Sequence, residues 1–519
     1  MSETTSPYRD EAPSAHPLAR LREPGTVRAR CQSIMQSVLD GVSPHFRLEL
    51  SRLDVAADRV AALTLRRFPD LNIPFHSRWR HFEAGGIDRK AEMDARLAGR
   101  DVADIARARI DLTVVSVLLD AGAGPQWRYL EGETIDRMAL PLQQRDGDEL
   151  LALLDRVAGG KAGDTGAGAA AGVTAEEAAE AETETSNEAA TDSAAATATD
   201  TAPDAKAATP APPAPEPTDA VMTPASDSRS WSRSEGLGVA SFRAFMAGAF
   251  STTRGEPLRA DATALKAVDA PALRAMFQAN PTNPLQGLEG RAGLIARLGE
   301  AVAAEAARTG LPARPGLLYD LLTDSGRRTE VTATEVLSQV LRIFAPIWRS
   351  GSNVQGLTGG DVWPHHWAGA RTGTAVPDAT TTGWVPFHKL SQWLVYSLIE
   401  PLQWAGVKVT GLDELTGLPE YRNGGLLLDC GVIVPRRPSD LGRSWKTGDE
   451  FIVEWRALTV VLLDRLADRV RARLGRTAEE LPLACILEGG TWAAGREIAA
   501  ELRPGGPPPL RIDSDGTVF

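Results

Sequence analysis

Between Gly159 and Ser228 the chain is built almost entirely of Ala, Thr, Glu, Gly and Pro, without an aromatic residue and with almost no large aliphatic one. Such a stretch has too little apolar surface to offset the entropy of ordering its backbone, so no hydrophobic core passes through it. It reads as a mobile acidic insertion, and whatever compact structure the 519-residue chain forms is assembled from its flanks. The insertion also carries most of the charge. Residues 157–228 hold 13 acids against two bases, Lys161 and Lys206, whereas the whole chain has a formal charge of −12. The flanks are therefore close to neutral, which argues against binding nucleic acid through a basic face.

With 43% hydrophobic residues overall, the chain has enough apolar material for a large core. Apolar residues recur at three and four positions, with Gly or Pro stops, over 26–41, 48–67, 88–99, 102–120, 238–250, 262–278, 290–308, 332–346, 386–405, 412–417, 448–474 and 492–501. That periodicity predicts helices there. The clearest strand signal is Gly424–Pro435, two short aliphatic runs about Asp-Cys-Gly, which predicts one small hairpin. The expected fold is all-α, a single large fold interrupted once. It comprises a disordered lead-in over 1–25, a helical part over 26–156, the insertion over 157–230 and a second helical part over 231–519. Trp, Tyr and Gly-bounded polar residues on both sides of the insertion, GPQWRYLEGE before and SRSWSRSEGLG after, suggest that it interrupts one fold and does not separate two.

The most hydrophobic runs, around 110–121 and 457–463, fall short of the ~20 residues that cross a bilayer. The N-terminus lacks the apolar stretch of a signal peptide. Three widely spaced cysteines, Cys31, Cys430 and Cys485, offer neither a disulfide framework nor a C-x-x-C pair. These features predict a cytoplasmic protein with no membrane partner. No phosphate-binding G-x-x-x-x-G-K loop is present, and no G-x-G-x-x-G sits between a strand and a helix.

Several segments carry groups suited to chemistry. Phe75–Arg89 packs His76, Arg78, Trp79, Arg80, His81 and Glu83 before a Gly-Gly break. Histidines interleaved with arginines suit anion binding and proton transfer better than metal ligation, because two guanidiniums repel a dication; the ordinary alternative is a solvated loop. In Pro386–Glu400, Lys389, Gln392 and Tyr396 form one polar stripe on an apolar helix. The stripe is either exposed or faces a buried cleft in which Lys389 meets an anion and Gln392 reads an amide. Thr416–Gly425 sets Glu420, Tyr421 and Arg422 between a proline and an Asn-Gly-Gly turn, pairing a carboxylate for developing positive charge with a guanidinium for phosphate. A surface Glu–Arg pair is the plain alternative. Glu454 shares a helix face with Phe451, Leu458 and Val461, so it points at the core and requires a partner, expected to be an Arg from another segment. Leu487–Arg496 sets Glu488 before Gly-Gly and near Trp492.

Taken in order, IPFHSRWRHFEAGG, LDAGAGPQWRY, RSEGLGVASF, NPLQGLEGR, VPFHKLSQWL, LTGLPEYRNGG, EWRALTV, LEGGTWAAGR and SDGTVF closely resemble the uracil-catabolism family of fungi and bacteria. That family belongs to a pathway passing from uracil nucleotide through ribosylurea to urea. The likeness spans nearly everything except the lead-in and the insertion. A more distant similarity, covering residues 385–495, is to the queuosine-nucleotide N-glycosidase family. It rests on F-x-K-x-x-Q, an acidic residue before Tyr-Arg, E-x-R-A-x-T-V and an acidic residue before a Trp. This second resemblance implies an all-helical fold related to helix-hairpin-helix DNA glycosylases, and cleavage of the N-glycosidic bond of a nucleoside monophosphate. It puts Glu420 at the catalytic carboxylate and Glu488 at the second acid. Both are Asp in that family, and Ala493 stands where it has another Asp.

The resulting expectation is an N-ribosyl hydrolase that releases urea and ribose 5-phosphate from a ribosylurea-type nucleotide. Glu420 would stabilise the oxocarbenium-like centre, and Glu488 or His76 would handle the proton that urea needs as a leaving group. Arg422, Lys389 and Arg78 would hold the phosphate, Gln392 would read the ureido amide, and Trp127 and Trp492 would wall the pocket. His81 and Tyr421 complete the binding set, with no metal and no cofactor. The enzymatic rival is an amidohydrolase with a metal on His81, His365 and an acid. The non-enzymatic rival is a sensor or scaffold for a pathway intermediate. Expected partners are the small-molecule substrate and other enzymes of uracil catabolism.

Overall fold

Helix-forming runs with clear stops dominate the chain, and the computed structural model, which describes residues 16–120, 122–124, 126–132, 229–253, 255–349, 351–370 and 378–513, is mainly helical. The insertion expected over 157–230 lies almost wholly outside the described residues. Nine helices frame the candidate site. They are α1 (Pro24–Leu39), α2 (Leu53–Arg67), α3 (Val102–Leu118), α4 (Arg233–Met246), α5 (Leu288–Thr309), α6 (Lys389–Trp404), α7 (Tyr421–Asp429), α8 (Glu450–Leu474) and α9 (Trp492–Leu502). Their ends follow local chemistry. Asp101 caps α3 by accepting from the Asp104 N–H, Pro24 begins α1, and Gly475 at φ 62° stops α8.

Helix α8 is buried along most of its length and packs against α1, α2 and α7. Helix α3 lies between α6 and α4, and α7 packs on α9. Side chains from both flanks, among them Ile110, Val114, Phe242, Leu394 and Val460, share one apolar cluster. Among the described residues, strands occur only in two-stranded pairings. One of these, Tyr129–Glu131 against Arg229–Trp231, brings together the chain on either side of residues 133–228. Glu131 there accepts hydrogen bonds from Arg89, Arg243 and the Trp231 indole, so a buried carboxylate ties two strands to two helices.

Four sequence expectations are corrected. The hairpin over Gly424–Pro435 does not form: its first run is helix α7, and Ile433–Pro435 pairs instead with Phe46–Leu48. The glycines that resemble a turn are packing positions inside the helix, since a Cβ on Gly424 would lie 2.3 Å from the Trp455 ring. The lead-in ends earlier than expected, because Pro17–Leu21 is helical and buries Leu18 and Leu21 against Val354 and Val362. The run 262–278 is two helices, split where Asp269 caps a new one by accepting from Ala272 N. Glu454 finds no arginine among the described residues: Ser43 Oγ donates to it at 2.5 Å, and His365 Nε2 lies 3.3 Å away without hydrogen-bond alignment.

Candidate active site

The face of α6 that carries Lys389, Trp393, Ser397 and Glu400 organises the His/Arg segment. Ser397 Oγ accepts from Arg78 N at 2.9 Å, and the Ser397 carbonyl accepts from Trp79 Nε1 at 3.1 Å. Glu400 accepts from Ser77 Oγ at 2.6 Å and Arg80 at 2.7 Å. Arg78 is fully buried: Nε donates to Ser116 Oγ at 2.7 Å, and Nη1 lies 3.0 Å from His81 Nδ1, 3.1 Å from Ser234 O and 2.9 Å from Asp120. Asp120 therefore neutralises the cation that the sequence suggested for phosphate. The glycines of RSEGLG make room here, since a Cβ on Gly238 would lie 2.7 Å from His81 Cβ. Burial, then the nearby Arg78 charge, hold His81 well below its ordinary pKa. An Arg donor at Nδ1 fixes a neutral ring with its proton on Nε2.

The polar stripe of α6 faces protein. Tyr396 donates to Thr416 O at 2.9 Å and Gln392 Oε1 accepts from Thr416 N at 3.4 Å, so both residues position the loop that leads to Glu420. The Glu420 carboxylate caps α7, accepting from Arg422 N at 2.8 Å and Asn423 N at 2.6 Å. Enclosure by protein raises its pKa, against the opposing pull of these two N–H groups and of Lys389 and His76. Asn423 also bonds Leu418 O at 3.1 Å and accepts from Thr491 Oγ1 at 2.8 Å, joining the Glu420 turn to the Glu488 segment.

Glu488 lies in a π-turn, Leu487–Thr491, that runs into α9. Such turns insert an extra residue into a helix and re-aim side chains. Its glycines let it sit on α2, where a Cβ on Gly490 would lie 2.6 Å from Thr64 Oγ1. Glu488 Oε2 is 2.9 Å from His76 Nδ1, and Oε1 accepts from Arg67 at 3.2 Å. Burial acts to raise its pKa, but His76 and Arg67 outweigh it and hold the carboxyl below its usual range. His76 is fixed by its own N–H to Ala484 O at 2.9 Å.

Lys389 keeps some solvent contact at the start of α6. Desolvation lowers its ammonium pKa, opposed by Glu420, Asp361 and Asp120. Asp361, from the GGDVW segment, caps α6 through Lys389 N at 3.0 Å and pairs two-on-two with Arg456 at 2.7 and 2.8 Å. Arg422 donates to Gly506 O at 3.1 Å; burial lowers its pKa, and Glu420, Arg496 and Arg233 act on it. The Tyr421 phenol, pushed up to about 12 by burial and by Glu420, lies 3.4 Å from Ile512 O. Trp492 is half-buried under the Arg496 guanidinium, 5.0 Å from its ring. Trp127 is fully enclosed, its indole donating to Phe277 O at 2.9 Å.

Glu420, Lys389, His76 and Glu488 thus form one electrostatic group, and the structure adds Asp120, Asp361, Arg456 and Glu400, which the sequence reading missed. Asp120 and Asp361 each sit beside glycines in short segments, LDAG and GGDVW, and that texture was their only signal. His81 and His365 have different neighbours, so the metal set of the amidohydrolase rival is not assembled. Among the described residues, no group of three or more His, Cys, Asp and Glu is arranged to hold a metal. An open cleft of about 640 Å³, lined in part by Arg28, Arg328, Glu335 and Asp413, shares no residue with this group.

The full set of motifs matches one family profile, described as a protein of unknown function (DUF1688), over residues 20–140 and 220–519. The chain belongs to that family. The profile passes over most of the low-complexity segment. Among similar proteins, "Protein urg3" of Schizosaccharomyces pombe is 30% identical over 515 residues, covering 98% of this chain and 100% of the relative. "Uracil catabolism protein 4" of Lachancea kluyveri is 31% identical over 533 residues, covering 97% and 99%. No described helix of this family member is long and apolar enough to cross a membrane.

Proposed function

We propose that the chain is an N-ribosyl hydrolase of uracil catabolism. It hydrolyses the C1–N bond of ribosylurea 5′-phosphate to urea and ribose 5-phosphate, on a helical scaffold of the helix-hairpin-helix glycosylase kind. The name of the Lachancea relative and the full-length similarity support the pathway. The observation that carries the chemistry is Glu420, a half-buried carboxylate held by two backbone N–H groups and within electrostatic reach of Lys389 and His76.

Breaking the C1–N bond leaves positive charge on the ribose ring, and a fixed carboxylate beside it stabilises that charge most where water is excluded. Urea departs as a neutral molecule once its nitrogen receives a proton. His76, hydrogen-bonded to Glu488, is the group suited to deliver it. Water then adds to C1, so one water is consumed for each urea released. Arg422 and Lys389 supply positive charge for a phosphate. The 5′-phosphate should therefore tighten binding by roughly 2–4 kcal/mol relative to free ribosylurea.

The test is incubation of the purified protein with ribosylurea, its 5′-phosphate, uridine and uridine monophosphate, followed by assays for urea, uracil, ammonia and free sugar. Intact urea with stoichiometric ribose 5-phosphate is the expected result. Ammonia in place of urea would indicate an amidohydrolase, and tight binding without any product would indicate a sensor.

A further inference from the structure

Arg78 and Asp120 form a buried ion pair in which one arm of each group stays unused. The Arg78 side chain is fully enclosed and that of Asp120 is 6% exposed, and their contact runs from Nη1 to Oδ2 at 2.9 Å. A guanidinium and a carboxylate free to settle together pair two-on-two, as Arg456 and Asp361 do in the same protein. Here the remaining arms, Arg78 Nη2 and Asp120 Oδ1, are buried and have no hydrogen-bond partner among the described residues. The surroundings hold them that way. Ser116 fixes Arg78 Nε at 2.7 Å, and Ser234 O and His81 Nδ1 engage Nη1 at 3.1 and 3.0 Å. Gln392 Nε2 and Trp393 Nε1 on α6 are likewise buried donors without a partner among the described residues, and the Trp393 ring lies 5.7 Å from the Arg78 guanidinium.

Buried polar atoms are nearly always satisfied, so a donor and an acceptor left open on one ion pair mark a place where something else completes them. We propose that the Arg78–Asp120 pair binds the leaving-group end of the substrate, Oδ1 accepting an N–H and Nη2 donating to the neighbouring C=O. The ligand class is a neutral ureide or amide edge. An anion does not fit, because Oδ1 would repel it and Asp120 already balances the arginine. The assignment rests on the N-ribosyl hydrolase reading and moves Arg78 from the phosphate to the ureido group.

Calorimetric titration of the full chain with ribosylurea 5′-phosphate and with ribose 5-phosphate tests it, on the wild type, Asp120→Asn and Arg78→Lys. Arg78→Lys keeps a positive charge beside Asp120 while losing the Nη2 arm together with the Nε bond to Ser116, so with its melting temperature measured alongside it gives a second reading if Asp120→Asn folds poorly. Each variant should bind ribosylurea 5′-phosphate at least tenfold more weakly while its affinity for ribose 5-phosphate stays within twofold. Equal weakening toward both ligands, or no change toward either, overturns the assignment. A urea-release assay separates the two readings. Selective ureide binding by the wild type without urea release leaves the recognition standing and sinks the hydrolase. Urea release by Asp120→Asn at unchanged affinity does the reverse, and a wild type that does not bind the ureide overturns both.

Discussion

Glu420 and Glu488 carry the same side chain in opposite electrostatic settings. Enclosure wins at Glu420 and raises its pKa, whereas His76 and Arg67 win at Glu488 and lower it. Groups pushed apart in this way take different roles. If Glu420 acts as an anion in the proposed reaction, turnover should fall as pH drops through its raised pKa, with an acid limb above the ordinary Glu value near 4.5. A rate-against-pH profile checks this; a limb at or below that value contradicts it. If Glu488 tunes His76, then His76→Gln and Glu488→Gln should each slow turnover by roughly 10²-fold and the double variant no further, since both break one proton path. Multiplying losses in the double variant would mean separate roles. Glu420 and Glu488 stood out in the sequence as candidates because each adjoins a turn-forming Pro or Gly, and Arg422 and His76 because a charged residue lies two positions away. Asp120, Asp361 and Glu400 were not, because their partners, Arg78, Arg456 and Arg80, lie far along the chain and leave no local pattern.

At the level of elements, most long amphipathic helices were readable and the small-residue motifs were not. Leu426, Leu427 and Leu428 suit a strand as well as a helix; the Glu420 cap and the fit of Gly424 against Trp455 decide for the helix. Gly495 has a comparable task, since a Cβ there would lie 2.2 Å from Arg422 O. Gly495→Ala should push α9 off α7, lower stability by about 1–3 kcal/mol and disturb the Glu420 turn. Gly25→Ala, with nothing within 4 Å, is the control that should change little. The Glu131 clasp makes a second prediction. Its carboxyl is held down to about 2, chiefly by Arg89 and Arg243 acting against burial. A lowered carboxyl stabilises the fold above its unfolded pKa, and that contribution is lost as pH falls through the folded value. Glu131→Gln should therefore cost about 3 kcal/mol near neutrality by leaving Arg89 buried and undercompensated. In denaturant titrations the gap to wild type should narrow between pH 4.5 and 2; a gap that is constant over that window contradicts the assignment.

Across the whole molecule, helices from both flanks share one apolar core, and the strand pair at Tyr129 and Trp231 closes the chain beside residues 133–228. Deleting 160–226 should leave the melting temperature and turnover nearly unchanged, because that composition offers almost no large apolar side chain for the core. A deletion that unfolds the protein would show that the segment packs. Helical class was legible from periodicity, but the way α6, α7 and α9 converge on one group of charges depends on contacts between distant segments. That convergence matters only if Glu420 does chemistry there. Glu420→Gln keeps the volume and a carbonyl acceptor for the α7 cap while removing the negative charge. The rate of urea release from ribosylurea 5′-phosphate should fall by roughly 10²–10⁴-fold, with substrate affinity and melting temperature little changed; a variant that releases urea within a few fold of the wild-type rate contradicts the mechanism.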